Sequence, residues 1–508
     1  MRYLILTLNL AVATPSFSQS TKSDSVLQKI SIEGMEKSQL YPLAQKLLDS
    51  IGPRLTGTAQ QRKANDWAVA MYTSWGITSR AEQYGTWKDW RRGIAHFDLI
   101  SPRVRSLEGM LSTWSPGTKG TVEGPVVLFP KIESASDFEA ALPTVRGKFV
   151  LFSFAWPSCR PDTSWKEFAS PEAYGRMQKE RTDMFNAWYT GRIRKSGLRG
   201  HELFKRFADA GALGILTVLV PPPGSQGWGV MKISSTIAEN IPEVGLDCED
   251  YGLVFRLAER NQGPVLRVNA DAEFGDDVPV ANVIAELRGS EKPNEYVMLS
   301  AHFDSWDPAS GATDNGASSL VMMEAMRILK AVYPNPKRTI IAGHWMAEEQ
   351  GFNGSRAFAA DHPEIAKNIQ IIFDADNGMG RVNSISADGF NGTAVFLRKW
   401  LSKLPKQLVD SIKLDDPGTF SRGIDAASFA CGGAPAFSMS SVSWDYTNYT
   451  WHTNRDTFDK LVFDDLKSNA TLIAMLVYLA SEDERVPREP AVSLPACGAP
   501  TRSWSPPR

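Results

Sequence analysis

The stretch EYVMLSAHFDSWDPASGATDNGASSLVMMEAMRILKAV, residues 295–332, decides how this chain folds. Its opening, EYVMLSAH, is a nearly continuous apolar run ending on His302, the pattern of a strand buried on both faces. Its close, residues 316–332, carries apolar side chains at helical spacing. The connection holds small residues, Ala309, Ser310, Gly311 and Ala312, which allow a tight turn. Strand, loop and helix form the unit from which parallel sheets are built. Ligands of such sheets bind beyond the carboxyl ends of the strands. His302, Asp304 and Asp314 all stand at that edge.

Outward from this unit the pattern repeats. VANVIAELRG (280–289), RTIIAGHWMA (338–347), IQIIFDAD (369–376) and APAFSMS (434–440) read as strands, and a helix at about 463–481 closes the series. The expected fold class is α/β: three layers, a mostly parallel mixed sheet between helices on both faces. Upstream, residues 35–51 and 59–75 have helical periodicity, broken by IGPRLTGT (51–58), and IAHFDLISP from 94 reads as a strand. Residues 106–275 form their own α/β set. It comprises strands GPVVLFP and GKFVLFSFAWP, a charged helical segment at 171–197, FKRFADAGALGILTVLVPPPG as helix and strand, and DYGLVFRLAERNQGP as a helix. With 508 residues available, more than one core is expected, and 106–275 reads as a separate inserted domain. No internal repeat is evident.

Lys and Arg number 55 and Asp and Glu 57, a net charge of −2, which gives no electrostatic reason to expect nucleic acid or an anionic membrane as partner. The N-terminus, MRYLILTLNLAVATPSFSQS, has Arg2, an apolar run and small residues at Ser16 and Ser18. It reads as a signal peptide, residues 1–18, and predicts a secreted or periplasmic protein. The run is too short to span a bilayer, and no other stretch approaches that length. Cys159, Cys248, Cys431 and Cys497 lack CxxC spacing, which argues against a cysteine zinc site. Export permits disulfides, whose pairing stays open. The tail, 483–508, is rich in Pro and Ser and reads as extended.

Three successive strands end in residues of metal-binding type: His302, then Glu348 and Glu349, then Asp374 and Asp376. One histidine with several carboxylates suits a cation of the zinc class. Asp314 alone reads as a helix N-cap. A cap, however, requires neither His302 nor the pair Glu348 and Glu349 at the same edge, where like charges repel unless a cation or proton neutralises them. Asp374 and Asp376 share one face of a strand, Asp374 about 6–7 Å further back. His96 and His344 sit inside apparent strands and read as core or supporting residues. His201 opens a helix, His362 lies in a turn, and the basic GRIRKSGLRG (191–200) reads as a solvated face.

The segments HFDSWDPASGATDNGAS, AEEQGFNGS, FDADNGMGR and WHTNRDTFD resemble the di-zinc exopeptidase family, which includes secreted bacterial aminopeptidases and plasma glutamate carboxypeptidase. The similarity covers 25–105 and 276–482, IGPRLTGT included, and residues 106–275 resemble the protease-associated domain inserted in some members. The resemblance implies hydrolysis of peptides or dipeptides with two zinc ions. His302 and Asp376 would hold one and Glu349 and His452 the other, with Asp314 bridging. Asp376 takes the ligand role over Asp374 because the family's ligand immediately precedes the turn written here NG. Glu348 would be the general base and Asp304 the group that orients His302. Trp451 stands where relatives have Tyr or His, so Tyr446 or Tyr449 is left to stabilise the oxyanion. An aminopeptidase or dipeptidase is the leading expectation. The alternatives are glutamate carboxypeptidase-like activity, a glutaminyl cyclotransferase with one metal, and an inactive binding protein. Oligomeric state is left open.

Overall fold

Strand follows strand across one continuous mixed sheet, which has fourteen strands among the described residues. In chain order they are β1 Thr78–Ser101, β2 Arg105–Ser106, β3 Gly109–Leu111, β4 Val122–Leu128, β5 Phe149–Leu151, β6 Gly214–Val218, β7 Glu243–Leu246, β8 Val265–Leu287, β9 Lys292–His302, β10 Arg338–Trp345, β11 Ile369–Ala375, β12 Val382–Asp388, β13 Lys413–Asp415 and β14 Ala436–Ser441. The computed structural model describes residues 22–219, 231–233, 240–376, 378, 380–415, 420 and 423–504. The expected signal peptide, 1–18, lies outside them, as does Asn377 after Asp376.

The order is β13-β12-β14-β11-β9-β10-β8-β4-β5-β6-β7-β3, with β1 also paired to β8 and β2 to β1. β14, β11, β9 and β10 run parallel, while β8 is antiparallel to β10 and β12 to β14. The parallel centre is buried on both faces, as its apolar runs predict. Val297, Leu299 and Ala301 of β9 and Ile340 and Ala342 of β10 turn to one face, where they join the core with helices Ala317–Val332 and Phe463–Glu482. Met298, Ile341 and Trp345 turn to the other and meet Phe358 and Phe429. The alternation is the period of the pleat, and each large apolar side chain so buried contributes about 1.5–3 kcal/mol. The three-layer α/β/α expectation is met.

A second core lies at the other end of the sheet. It is built on Phe149, Val150, Leu151, Phe204, Phe207 and Tyr251, and it draws in Phe97 and Leu99 of β1, upstream of residue 106. Cys159 pairs with Cys248 within this part. Cys431 pairs with Cys497, tying the tail to the first core. The tail lacks helix and strand to residue 504, as expected, and touches the body through isolated bridges from Phe390 to Pro490 and Thr86 to Ser503. No helix among the described residues is long and apolar enough to cross a membrane.

Three readings need correction. The helix expected over 35–51 is two: Lys22–Glu36 ends, and a new one starts at Leu40 and continues as a wider turn over Gln45–Ile51. The Gln39 N–H bonds the Glu324 carboxylate in the gap. The strand expected from 94 begins at Thr78, its alternation hidden by register shifts at Gln83/Gly85, Lys88/Trp90 and Arg92/Ala95. His96 is exposed on that strand and is not a core residue.

Candidate active site

Register brings the first groups together. Trp345 of β10 pairs with His302 of β9, so the chain leaving β10 reaches Glu348 and Glu349 beside His302. On the other flank Asp374 pairs with Ser300, two residues short of His302, which leaves Asp376 level with the histidine. Asp374 accepts a hydrogen bond from the Ser300 hydroxyl.

Two triads result. The ligand atoms of His302, Asp314 and Asp376 lie within 4.8 Å of one another, and so do those of Asp314, Glu349 and His452. His302 Nε2 is 3.2 Å from Asp314 Oδ1 and 3.1 Å from Asp376 Oδ1. His452 Nε2 is 3.2 Å from Asp314 Oδ2 and 3.0 Å from Glu349 Oε2. Asp314 therefore gives one oxygen to each histidine. It is not a helix cap: Gly316 holds the N-cap position of the helix Ala317–Val332, with no side-chain cap. The backbone N–H groups of Thr313 and Asp314 donate instead to Asp456, at 2.6 and 3.0 Å.

Glu348 lies within 4.8 Å of both His302 and Glu349, and its carboxylate makes no hydrogen bond to a described residue. Asp304 fastens this corner. Its carbonyl oxygen stands 3.1 Å from His302 Nδ1, and its carboxylate accepts from the N–H of Glu348 at 3.1 Å and of Glu349 at 3.4 Å. The expected orientation of His302 by Asp304 thus runs through the main-chain carbonyl, with the carboxylate 3.6 Å away.

The electrostatics reflect five buried or half-buried carboxylates around two imidazoles. Burial disfavours a charged His302, yet Asp376, Glu348, Asp304 and Asp314 hold it well above the usual histidine range. Burial and Asp314 push Glu349 up to about 7, with His452 opposing. Burial also raises Glu348 well above the ordinary glutamate value; His302 opposes this, and Asp376, Asp425 and Glu349 add to it. Glu349 Oε1 and Asp314 Oδ2 are buried without a hydrogen-bond donor.

The two tyrosines separate. Tyr446 packs against Gly378, where a Cβ would stand 3.2 Å from its ring, and burial with Asp314, Asp376, Asp456 and Glu349 raises its phenol well above the usual value. Tyr449 instead carries Lys460 over its ring at 5.6 Å. Trp451 stacks on the His452 ring, centroids 4.1 Å apart, and Trp306 meets it edge-on at 5.8 Å. His344 is buried in β10, its Nε2 2.7 Å from the Tyr72 hydroxyl. His362 bonds Glu82, and His201 lies in the first turn of the helix Gly200–Asp209.

Two supports were not found from the sequence. Arg54, within IGPRLTGT, is fully buried and donates to the carbonyls of Phe303 (2.7 Å), Ser310 (2.6 Å) and Gly311 (2.9 Å), pinning the loop between His302 and Asp314. Asp456 lies within WHTNRDTFD, four residues past His452, and this nearness was the available signal.

Two histidines and three carboxylates sharing a bridging aspartate, beside an unengaged glutamate at the carboxyl edge of a parallel sheet, define a metallohydrolase centre. Residues 282–477, which carry all of these groups, match the model of peptidase family M28. Carboxypeptidase Q of Bos taurus is 23% identical over 463 residues, 90% of this chain and 89% of the relative. A peptidase M28 precursor from Shewanella amazonensis has a TM-score of 0.66 at 23% identity, covering 93% of this chain and 99% of that one. The zinc aminopeptidase of Bacillus subtilis has a TM-score of 0.55 at 19% identity, covering 88% and 95%.

Proposed function

We propose that the chain is a secreted or periplasmic zinc exopeptidase that acts on peptides or dipeptides as an aminopeptidase or dipeptidase. The observation that carries this reading is the pair of triads sharing Asp314 with Glu348 beside them. The donor set fits two divalent cations: imidazole and carboxylate suit zinc, and the unsatisfied Glu349 Oε1 and Asp314 Oδ2 are acceptors buried without a donor. His302 and Asp376 would hold one ion, Glu349 and His452 the other, and Asp314 both. When bound, zinc supplies Lewis-acid polarisation of the scissile carbonyl and brings the pKa of water toward neutrality.

The rest of the chemistry belongs to the chain's own residues. Glu348 takes a proton from the water whose oxygen attacks the carbonyl carbon, and it delivers that proton to the amine nitrogen as the C–N bond breaks. Asp304 keeps the base and His302 in one frame, since it bonds the backbone of Glu348 and faces the imidazole. Tyr446 keeps its proton and is the hydroxyl available to the developing oxyanion.

Residues 106–275 are proposed as an inserted protease-associated domain within a catalytic unit of 25–105 and 276–482. A core drawn largely from these residues, to which β1 adds Phe97 and Leu99, and the disulfide Cys159–Cys248 support this. Two disulfides and the signal-like N-terminus support export. A carboxypeptidase reading stands second, on the likeness to carboxypeptidase Q over 90% of the chain. The complete ligand set speaks against a one-metal cyclotransferase and an inactive binding protein. Zinc-loaded protein assayed on aminoacyl amides, free dipeptides and N-blocked dipeptides separates the activities. Glu348→Gln should lower kcat by on the order of 10²-fold or more while zinc content stays at the wild-type value. Near-normal turnover in that variant would remove the base assignment.

A further inference from the structure

His452 reaches the centre from a backbone that resists it. Its φ is +54°, a left-handed conformation that few residues with a Cβ adopt. Such a residue persists only where its surroundings hold it. Part of that hold comes from the insert, more than 200 residues earlier in the chain.

Met231–Ile233 lies alongside His452–Asn454. The Ile233 N–H donates to the His452 carbonyl at 2.8 Å, and the Asn454 N–H donates to the Met231 carbonyl at 3.1 Å. The Met231 N–H donates to Asn454 Oδ1 at 3.2 Å. Lys232 and Thr453 form an antiparallel bridge. The Lys232 ammonium stands 4.3 Å over the Trp451 ring and also bonds the Trp451 carbonyl. That same ring stacks on the His452 imidazole. On the far side, Met231 and Ile233 bury their side chains with Ala309 and Trp306. Trp306 in turn meets the His452 ring edge-on at 5.8 Å. The segment therefore grips the backbone of His452 and touches both indoles that pack on its ring. Asp376 and His302 stand at the ends of adjacent parallel strands, and among the described residues no hydrogen bond or ring contact joins them to Met231–Ile233, whose Lys232 ammonium is felt by Asp314.

We propose that Met231–Ile233 is a positioning clamp, through which the insert holds His452 in its ligand-presenting conformation, so that the metal position of Glu349 and His452 depends on the insert and that of His302 and Asp376 does not. This rests on the two-zinc reading above.

The full-length protein tests it by zinc titration against a chromophoric chelator, with metal content measured after dialysis. Lys232→Ala combined with Asn454→Ala removes the ammonium and one acceptor while leaving every proposed ligand. The expected result is one tightly held zinc and a second weakened about 10–100-fold, the size seen when partners of ligands are lost. Lys232→Arg, which keeps a cation over the indole, should restore most of that loss. The apo protein's thermal midpoint should stay close to wild type. Two zinc ions held at wild-type affinity by the double variant would overturn the clamp alone. So would parallel weakening of both metals with a fall in the apo midpoint, which marks a general loss of structure. Wild-type protein holding fewer than two zinc ions would overturn the two-zinc reading and the clamp with it.

Discussion

Asp374 and Asp376 differ by a single pleat, and that step separates a supporting group from a candidate ligand. Asp374 is level with Ser300 and takes its hydroxyl, whereas Asp376 is level with His302 and stands 3.1 Å from its Nε2. Asp376→Asn should therefore strip one zinc and most activity. Asp374→Asn should weaken metal affinity by about 10–100-fold without changing the limiting stoichiometry. Metal content of the two purified variants decides it, and the reverse result would exchange the roles. The ligand-type residues were legible because their chemistry is rare and their positions at strand ends follow from periodicity. Arg54 was not. It bonds main-chain carbonyls about 250 positions away, and carbonyls look the same in every sequence. In IGPRLTGT only the turn-forming Gly and Pro stood out. Its guanidinium, lowered to about 10 by burial, remains a cation among Asp456, Asp304 and Asp314. Arg54→Met should destabilise the fold by about 3–5 kcal/mol in chemical denaturation, since buried partners are left unsatisfied. Lys at 54 should recover little, because it cannot serve three carbonyls at once.

Elements were readable where a single period ran undisturbed. β9, β10 and β11 and the helices Ala317–Val332 and Phe463–Glu482 are apolar enough that their burial follows from sequence alone. β1 escaped for its first sixteen residues because repeated register shifts break its alternation. The same strand reaches into the second core. Phe97 and Leu99 are buried in the second core although they precede residue 106. A fragment of residues 94–275 should thus unfold cooperatively on heating. One beginning at 106 should melt at lower temperature or without a sharp transition, since loss of two buried large apolar side chains costs several kcal/mol. Equal melting of the two fragments would show that β1 is dispensable to that core.

At the scale of the whole molecule, residues from distant parts of the chain converge on one metal centre. Arg54 comes from the segment before β1, His302 to Asp376 from the central strands, His452 and Asp456 from beyond them, and Met231–Ile233 from between β6 and β7. Metal should accordingly stabilise the native chain as a whole. Chelation should abolish peptidase activity and lower the thermal midpoint, and added zinc should restore both. Each site held at a free zinc of about 100 times its Kd is worth about 2.7 kcal/mol. An unchanged midpoint on chelation would mean that the centre forms equally well without cations.

The pairing of β1 with β8 runs from Thr78–Glu286 to Ser101–Val265, through both cores with no linker between them. Two bodies joined by a flexible tether can close on a ligand like jaws, but two bodies threaded on a shared ribbon behave as a beam. Relative rotation has to be absorbed by bending at the bulges near Gly85, Trp90 and Ala95, where the ladder of hydrogen bonds is interrupted. The placement of the two cores along this ladder is therefore fixed except where the bulges let it bend.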